Sequence, residues 1–310
     1  MSRKPTVKTV LPRIGLPELM ARFDCESKCR AYLEKLRWPA GPVCPKCGKK
    51  EIARVVNRDA VLRCTTCQAQ FTVTAGTVFN DSHLPLSRWF IATFLLCESK
   101  KGVSALQIQR ILKIGGYKTA WYLCHRIRHA MNEVQKSLLD GIVEIDETYV
   151  GGKPRINRPR KEKEVVIGIR QRNGDLRLFR AKDAKAATVA EIIRQNVSET
   201  VQVLITDESA IYPWALDGKH KKAHRTICHR SVYVSGNIHT NTVESAFSLL
   251  KRGIVGTWHN ISVKHLPAYL DEMSFSFNRR KNDMLFEDTL RHMVTAPVLT
   301  FANLTKEKAA

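Results

Sequence analysis

Apolar residues along this chain recur with two different periods, and the change of period divides it. From Leu86 to Leu96 (LSRWFIATFLL) they fall at helical spacing after Pro85, and Ala105–Leu112 and Lys118–Arg128 repeat that spacing on either side of Gly115-Gly116. Ser104 and Thr119 offer side-chain oxygens suited to capping the last two of these helices. Beyond residue 139 short apolar runs take over: Gly141–Asp146, Val165–Ile169, Leu176–Arg180 and Val201–Asp207 read as strands. Asn173-Gly174, between the second and third runs, is the strongest short hairpin signal. Helical spacing returns over about Thr188–Val197, from Asn241 to Lys251, and over about Val263–Phe277.

This order predicts a multidomain α+β or α/β chain. A helical segment over 1–40 precedes a cysteine-bearing module over 41–76. A helical region over 84–138 and a mixed sheet with flanking helices over 139–295 follow, and a weakly ordered tail closes the chain at 296–310. Strand, hairpin, helix, strand, helix around one mixed sheet is the plan of a ribonuclease-H-like core. No internal repeat is visible.

Charge narrows the partner. Fifty-one Lys and Arg against 29 Asp and Glu give a formal charge of +22 and a pI near 9.8. That excess points to a polyanion, and its spread along the chain points to an extended binding surface. No apolar stretch reaches the roughly 20 residues that span a bilayer, and Met1-Ser2-Arg3-Lys4-Pro5 lacks the apolar core of a signal peptide. A soluble, cytoplasmic, nucleoid-associated protein bound to DNA is the expectation. Within 84–138, a helix, a glycine turn and a second helix with basic and polar residues form a helix-turn-helix pattern. Lys118, Arg126 and Arg128 are its expected DNA contacts.

Four of the nine cysteines form two C-x2-C knuckles, Cys44/Cys47 and Cys64/Cys67, sixteen residues apart. Paired thiolates at that spacing suit one structural Zn²⁺. Gly48 follows the first knuckle, where the chain must turn tightly. The segment holds too few apolar residues to fold alone, so the metal supplies its stability. Disulfides and an iron–sulfur cluster are the competing readings. Cys25, Cys29, Cys97, Cys124 and Cys228 are expected as buried apolar side chains. His220 and His224 sit among lysines in what reads as a basic surface loop. His125 and His129 are expected on a helix facing DNA or water.

Three carboxylates and a lysine carry the chemistry. Asp146 and Asp207 each end a predicted strand, Glu244 opens a predicted helix, and Lys251 lies seven residues further on the same helical face. Two strand-end aspartates and a helical glutamate make a platform for two Mg²⁺ ions, or Mn²⁺. Such ions roughly 3.5–4 Å apart can assist both the attacking and the leaving oxygen of a phosphodiester displacement. Mg²⁺ uses few protein carboxylates and keeps waters and substrate oxygens, so three carboxylates suffice. Glu144 competes, because it shares a strand face with Asp146. Glu147 and Glu208 are expected to point away or into water.

With these residues in place the chain resembles the DDE transposases of bacterial insertion sequences, in the group with an N-terminal zinc ribbon. The likeness spans about Pro17 to Asn282. It rests on Asp146-Glu147-Thr148-Tyr149-Val150-Gly151-Gly152-Lys153, Thr206-Asp207, His239-Thr240-Asn241-Thr242-Val243-Glu244 and Leu250-Lys251-Arg252-Gly253. Gly256-Thr257-Trp258-His259, Tyr269-Leu270-Asp271-Glu272 and Asn278-Arg279-Arg280 support it. The resemblance implies that Asp146, Asp207 and Glu244 bind the catalytic metals, with Lys251 and Arg252 on the DNA and Asn241 a minor rival to Glu244. It further implies cleavage at terminal inverted repeats, attack of the freed 3′-OH on target DNA, and a homodimer or larger assembly on DNA. A ribonuclease-H-like nuclease that cuts without joining, or a zinc-ribbon DNA-binding regulator with an inactive core, are the alternatives.

Overall fold

A computed structural model describes residues 13–133, 136–151, 163–227 and 239–306, as two compact units. Gly152, Lys153 and Cys228 lie outside the described residues.

The first unit holds residues up to Ser99, Ala105–Ala130 and Arg279–Glu307. It opens with helices α1 (Leu16–Arg22) and α2 (Glu26–Arg37). Three short antiparallel strands follow in spatial order β1-β2-β3: β1 (Ile52–Arg54), β2 (Leu62–Cys64) and β3 (Gln70–Phe71). Their apolar cluster is small: Leu62, Phe71, Cys44 and Cys64, edged by Trp38 and Ile52. Helices α3 (Leu86–Glu98), α4 (Ala105–Ile111) and α5 (Tyr117–Ala130) complete the N-terminal part.

The second unit is built on a five-stranded sheet. Its strands are β4 (Ile142–Val150), β5 (Glu164–Gln171), β6 (Leu176–Ala181), β7 (Val203–Asp207) and β8 (His224–Ile227), in the order β6-β5-β4-β7-β8. β4, β5 and β6 are antiparallel neighbours, whereas β7 and β8 run parallel to β4. A three-stranded meander extended by two parallel strands is the topology expected for the mixed-sheet core. The hairpin turns where the asparagine predicted it, with Asn173 at φ 58 in the left-handed region. Helix α6 (Ala186–Asn196) covers one sheet face, packing Val189 and Ile193 on Val143, Ile145, Ile167 and Leu204. Two very short helices follow β7, α7 (Tyr212–Ala215) and α8 (Gly218–Ala223). Helices α9 (Asn241–Gly253) and α10 (Leu266–Asn278) cover the other face through Val243, Phe247, Leu250, Leu270 and Met273. A π-helical turn, Ile254–Trp258, continues α9.

The last described helices belong to the first unit, and here expectation and structure part. The sheet domain is expected to run to residue 295, yet the segment after Asn278 forms helix α11 (Leu285–Thr295), which packs on α2, α3 and α5. Its Phe286 ring meets Phe23, Phe90 and Phe94, so its apolar stripe completes that unit's core. The supposed loose tail carries α12 (Phe301–Thr305), whose Phe301 packs on Trp121 and Tyr122. Strand β8 was read as part of a basic loop. It pairs with β7 alone, so its exposed Arg225 and Thr226 are the polar guard of an edge strand.

Candidate functional site

Asp146 lies near the middle of β4, paired with Gly168 of β5. On its other side β4 runs parallel to β7 with Glu144 beside Ile205, so two residues further along Asp146 comes level with Asp207. Neighbouring strands in register present matching positions on one face. That face is the one α9 covers, because Val166 (two residues from Gly168) packs on Val243 and Phe247. Glu244, exposed on α9, is next to Val243 in sequence. The three acids singled out from the sequence therefore lie on the same side of the sheet.

Electrostatics agrees with the geometry. Burial, then the charges of Glu147, Asp207 and Glu244, push the Asp146 carboxyl up to about 7. Only the N–H of Glu147, donated to Asp146 Oδ1 at 2.8 Å, acts the other way. Glu244 is steadied by the Thr240 hydroxyl, which donates to its Oε1 at 2.8 Å. Among the described residues the acids are not drawn within 4.8 Å of one another as the four cysteines are. Carboxylate oxygens on one side of a sheet, with one carboxyl resisting ionisation, are the donor type hard divalent cations take, and bound cations would draw them together and relieve the repulsion.

A consequence for stability follows. A carboxyl raised from 3.8 to about 7 stabilises the fold at low pH, and that contribution is lost as pH climbs through this window. The whole shift corresponds to about 4 kcal/mol. Without divalent metal, Asp146→Asn is expected to melt several degrees above the wild type at pH 8 and to lose that advantage near pH 4. Calorimetry at both pH values checks it.

Gly168, within the predicted strand Val165–Ile169, shapes the site as well. A Cβ there would lie 2.7 Å from the Phe247 ring and 2.8 Å from Val243 Cγ2, so only glycine lets α9 sit flush beside Asp146. A glycine inside a strand pattern is the signal that could have found it. Gly168→Ala is expected to cost about 1–3 kcal/mol by overpacking and to reduce activity well beyond the unfolded fraction. Denaturant titration alongside a cleavage assay separates the two effects.

The competing acids resolve clearly. Glu147 points to the opposite face, where it accepts a 2.6 Å hydrogen bond from Tyr212 Oη. It is half-buried in protein rather than turned to water, and burial raises its carboxyl first of all. Glu208 is exposed, as are Lys251, Arg252 and Asn241 on α9. Glu144 is wholly enclosed, and its oxygens are taken up by Arg172 Nε at 2.7 Å and by the first turn of α9.

In the first unit the four cysteines gather as their spacing predicts. Cys44 and Cys67 sulfurs lie 3.6 Å apart, as do those of Cys47 and Cys64. Tetrahedral Zn–S bonds of about 2.3 Å require sulfurs roughly 3.8 Å apart. Both knuckles close alike: Gly48 and Gln68 donate to the carbonyls of Cys44 and Cys64 at 2.9 Å, with φ of 73 and 60. The donor set fits structural zinc.

The helical pair departs more from expectation. Lys118 is exposed, with its ammonium 4.2 Å from the Phe301 ring centre. Every side chain from Leu123 to Arg128 is buried, including two expected DNA contacts. Arg126 donates to the Asn80 carbonyl and lies 5.0 Å from both the Trp89 and Tyr122 ring centres, and Arg128 is 1% exposed. Arg126 is thus covered by Asn80 and by Trp89 of α3, while α11 also packs on α5, and Phe301 of α12 packs on Trp121 and Tyr122 near its start. His125 is buried against Trp121 rather than facing DNA or water. His220 and His224 also turn inward, to the Ser198 carbonyl and the Thr206 hydroxyl, while Lys219, Lys221, Lys222 and Arg225 stay exposed. Cys29, Cys97 and Cys124 are buried, but Cys25, ahead of α2, is exposed. No helix among the described residues is long and apolar enough to cross a membrane.

Comparison with known proteins bears on both units. Residues 25–70 match a transposase zinc-ribbon domain, and residues 138–278 match an ISXO2-like transposase domain. The second match ends at Asn278, the last residue of α10. A protein of Halobacterium salinarum described as an uncharacterized protein in transposable element ISH50 is 26% identical over 269 residues. That alignment covers 80% of this chain and 89% of the relative.

Proposed function

Since the chain belongs to the insertion-sequence transposases that carry an N-terminal zinc ribbon, we propose that it cuts DNA at the ends of its element and joins them to target DNA. Asp146, Asp207 and Glu244 would hold divalent cations, which when bound supply charge neutralisation and activation at the reacting phosphodiester. The observation that carries the reading is the position of these acids on the α9 side of the sheet, with the Asp146 carboxyl pushed up to about 7 by burial and then by neighbouring acids.

The chain's own groups have distinct parts. Asp146 and Asp207 are fixed by strands, so their oxygens change little as DNA arrives. Glu244 comes from the first turn of α9 and is held by the Thr240 hydroxyl. Lys251, two turns along α9, and its neighbour Arg252 are exposed for backbone phosphates. The zinc ribbon and the exposed start of the helical pair would engage the element's ends, while the +22 charge supplies the sequence-independent hold. Coordinated processing of two ends calls for a dimer or larger assembly on DNA.

A pre-cut end bearing a free 3′-OH, incubated with target duplex and Mg²⁺, provides the test. Joined product is expected, whereas hydrolysis with no joining would leave a nuclease, and neither reaction would leave a DNA-binding regulator.

A further inference from the structure

We propose that Glu144 is a positioning residue for Glu244: its buried carboxylate fastens the start of α9 to β4 and so sets where the helical acid stands. The inference rests on the reading of Glu244 as a metal ligand.

A carboxylate with no solvent exposure inside a sheet is costly unless it is paired and hydrogen-bonded. Glu144 is both. Its Oε2 accepts from the Thr242 N–H at 3.0 Å, the Thr242 hydroxyl at 2.6 Å and the Val243 N–H at 3.2 Å. Its Oε1 accepts from Arg172 Nε at 2.7 Å, with His239 Nδ1 at 3.3 Å. Arg172 in turn donates to the His239 carbonyl at 3.1 Å, which ties down the chain entering the helix.

The first N–H groups of a helix have no partner within it, and a local Ser, Thr, Asp or Asn usually satisfies one. In α9 the cap residue Thr240 makes no such bond, because its hydroxyl serves Glu244 instead. The task passes to a strand residue 98 positions away in sequence from Thr242. A local cap would stabilise the helix equally well without attaching it to anything. Glu144 attaches it to β4, two residues from Asp146, at a point two residues before Glu244. The negative charge also lies against the positive end of the helix. Two elements that each bring an acid to the site are thereby held together right beside those acids.

The experiment uses the full-length, zinc-loaded protein and reads Mn²⁺ binding by calorimetry together with amide hydrogen exchange over residues 242–246. In Glu144→Gln, Mn²⁺ affinity is expected to fall about tenfold or more, the scale of lost outer-shell support, and exchange in that turn to quicken. Unchanged affinity in a folded Glu144→Gln would overturn the proposal. Thr242→Val, which removes one hydroxyl donor, decides the matter if Glu144→Gln does not fold: a few-fold loss is expected, and none would overturn it. The double variant Glu144→Gln/Glu244→Gln separates the levels. Positioning through Glu244 requires that Glu144→Gln weaken binding no further once Glu244 is gone, and an equal further loss would contradict it. If Glu244→Gln alone leaves Mn²⁺ affinity intact, the ligand reading itself fails, and the positioning proposal falls with it.

Discussion

Asp146→Asn is expected to reduce Mg²⁺-dependent cleavage of an element end by at least about a thousandfold while leaving end binding within about twofold. The asymmetry has a physical source. Metal assistance to the displacement is worth several kcal/mol, and each 1.4 kcal/mol removed from transition-state stabilisation is tenfold in rate. Asparagine keeps the shape of the side chain but removes the charge that attracts a cation. Affinity for DNA is spread over many of the chain's 51 basic residues, so one buried acid contributes little to it. The substitution also removes a carboxyl that burial, then repulsion, pushes up to about 7, so a fold at least as stable as the wild type is expected, and calorimetry checks that misfolding is not the cause. Cleavage of a labelled end fragment beside a gel-shift titration reads both quantities. Retained cleavage would remove Asp146 from the chemistry.

Cys64→Ser carries the second large effect. The ribbon's own apolar cluster is anchored on few side chains, and two of its buried members, Cys44 and Cys64, are themselves ligands. Metal binding of order 10–16 kcal/mol is then most of what folds the module. Losing one thiolate is expected to drop bound zinc from one per chain to well below that, and to weaken end-specific binding at least tenfold. The second unit, with separate cores on both sheet faces, should stay folded. Zinc measured by atomic emission, with gel shifts on specific and scrambled ends, gives the answer. Specific binding by a zinc-free protein would deny the ribbon its role.

How much of this was readable before the fold was known depends on whether the deciding interaction was local. The knuckle spacing fixed the cysteine cluster because four thiolates and a turn glycine leave few other arrangements. The strand-end position of Asp207 and the amphipathic repeat of α9 likewise placed two acids without knowledge of the sheet. Arg126 and Arg128 misled because an exposed basic helix and a covered one have the same sequence until the covering element is identified. That cover comes from Asn80 and Trp89 upstream and from α11 far downstream, none of which local helical spacing reveals. Gly168 was visible as a letter, but its meaning required Phe247 to be laid over it. Glu144 was readable only as a rival for metal, since its true partners, the N–H groups of Thr242 and Val243, belong to backbone that any residue would supply.

The claim beneath all of these expectations is that Asp146, Asp207 and Glu244 bind divalent metal together. Anomalous scattering from crystals of the zinc-loaded protein soaked in Mn²⁺ tests it most directly. Manganese peaks at about 2.1 Å from carboxylate oxygens of all three residues are the predicted result. Saturating Mn²⁺ that leaves these oxygens bare, or that gathers around Glu147 on the opposite sheet face, would contradict it.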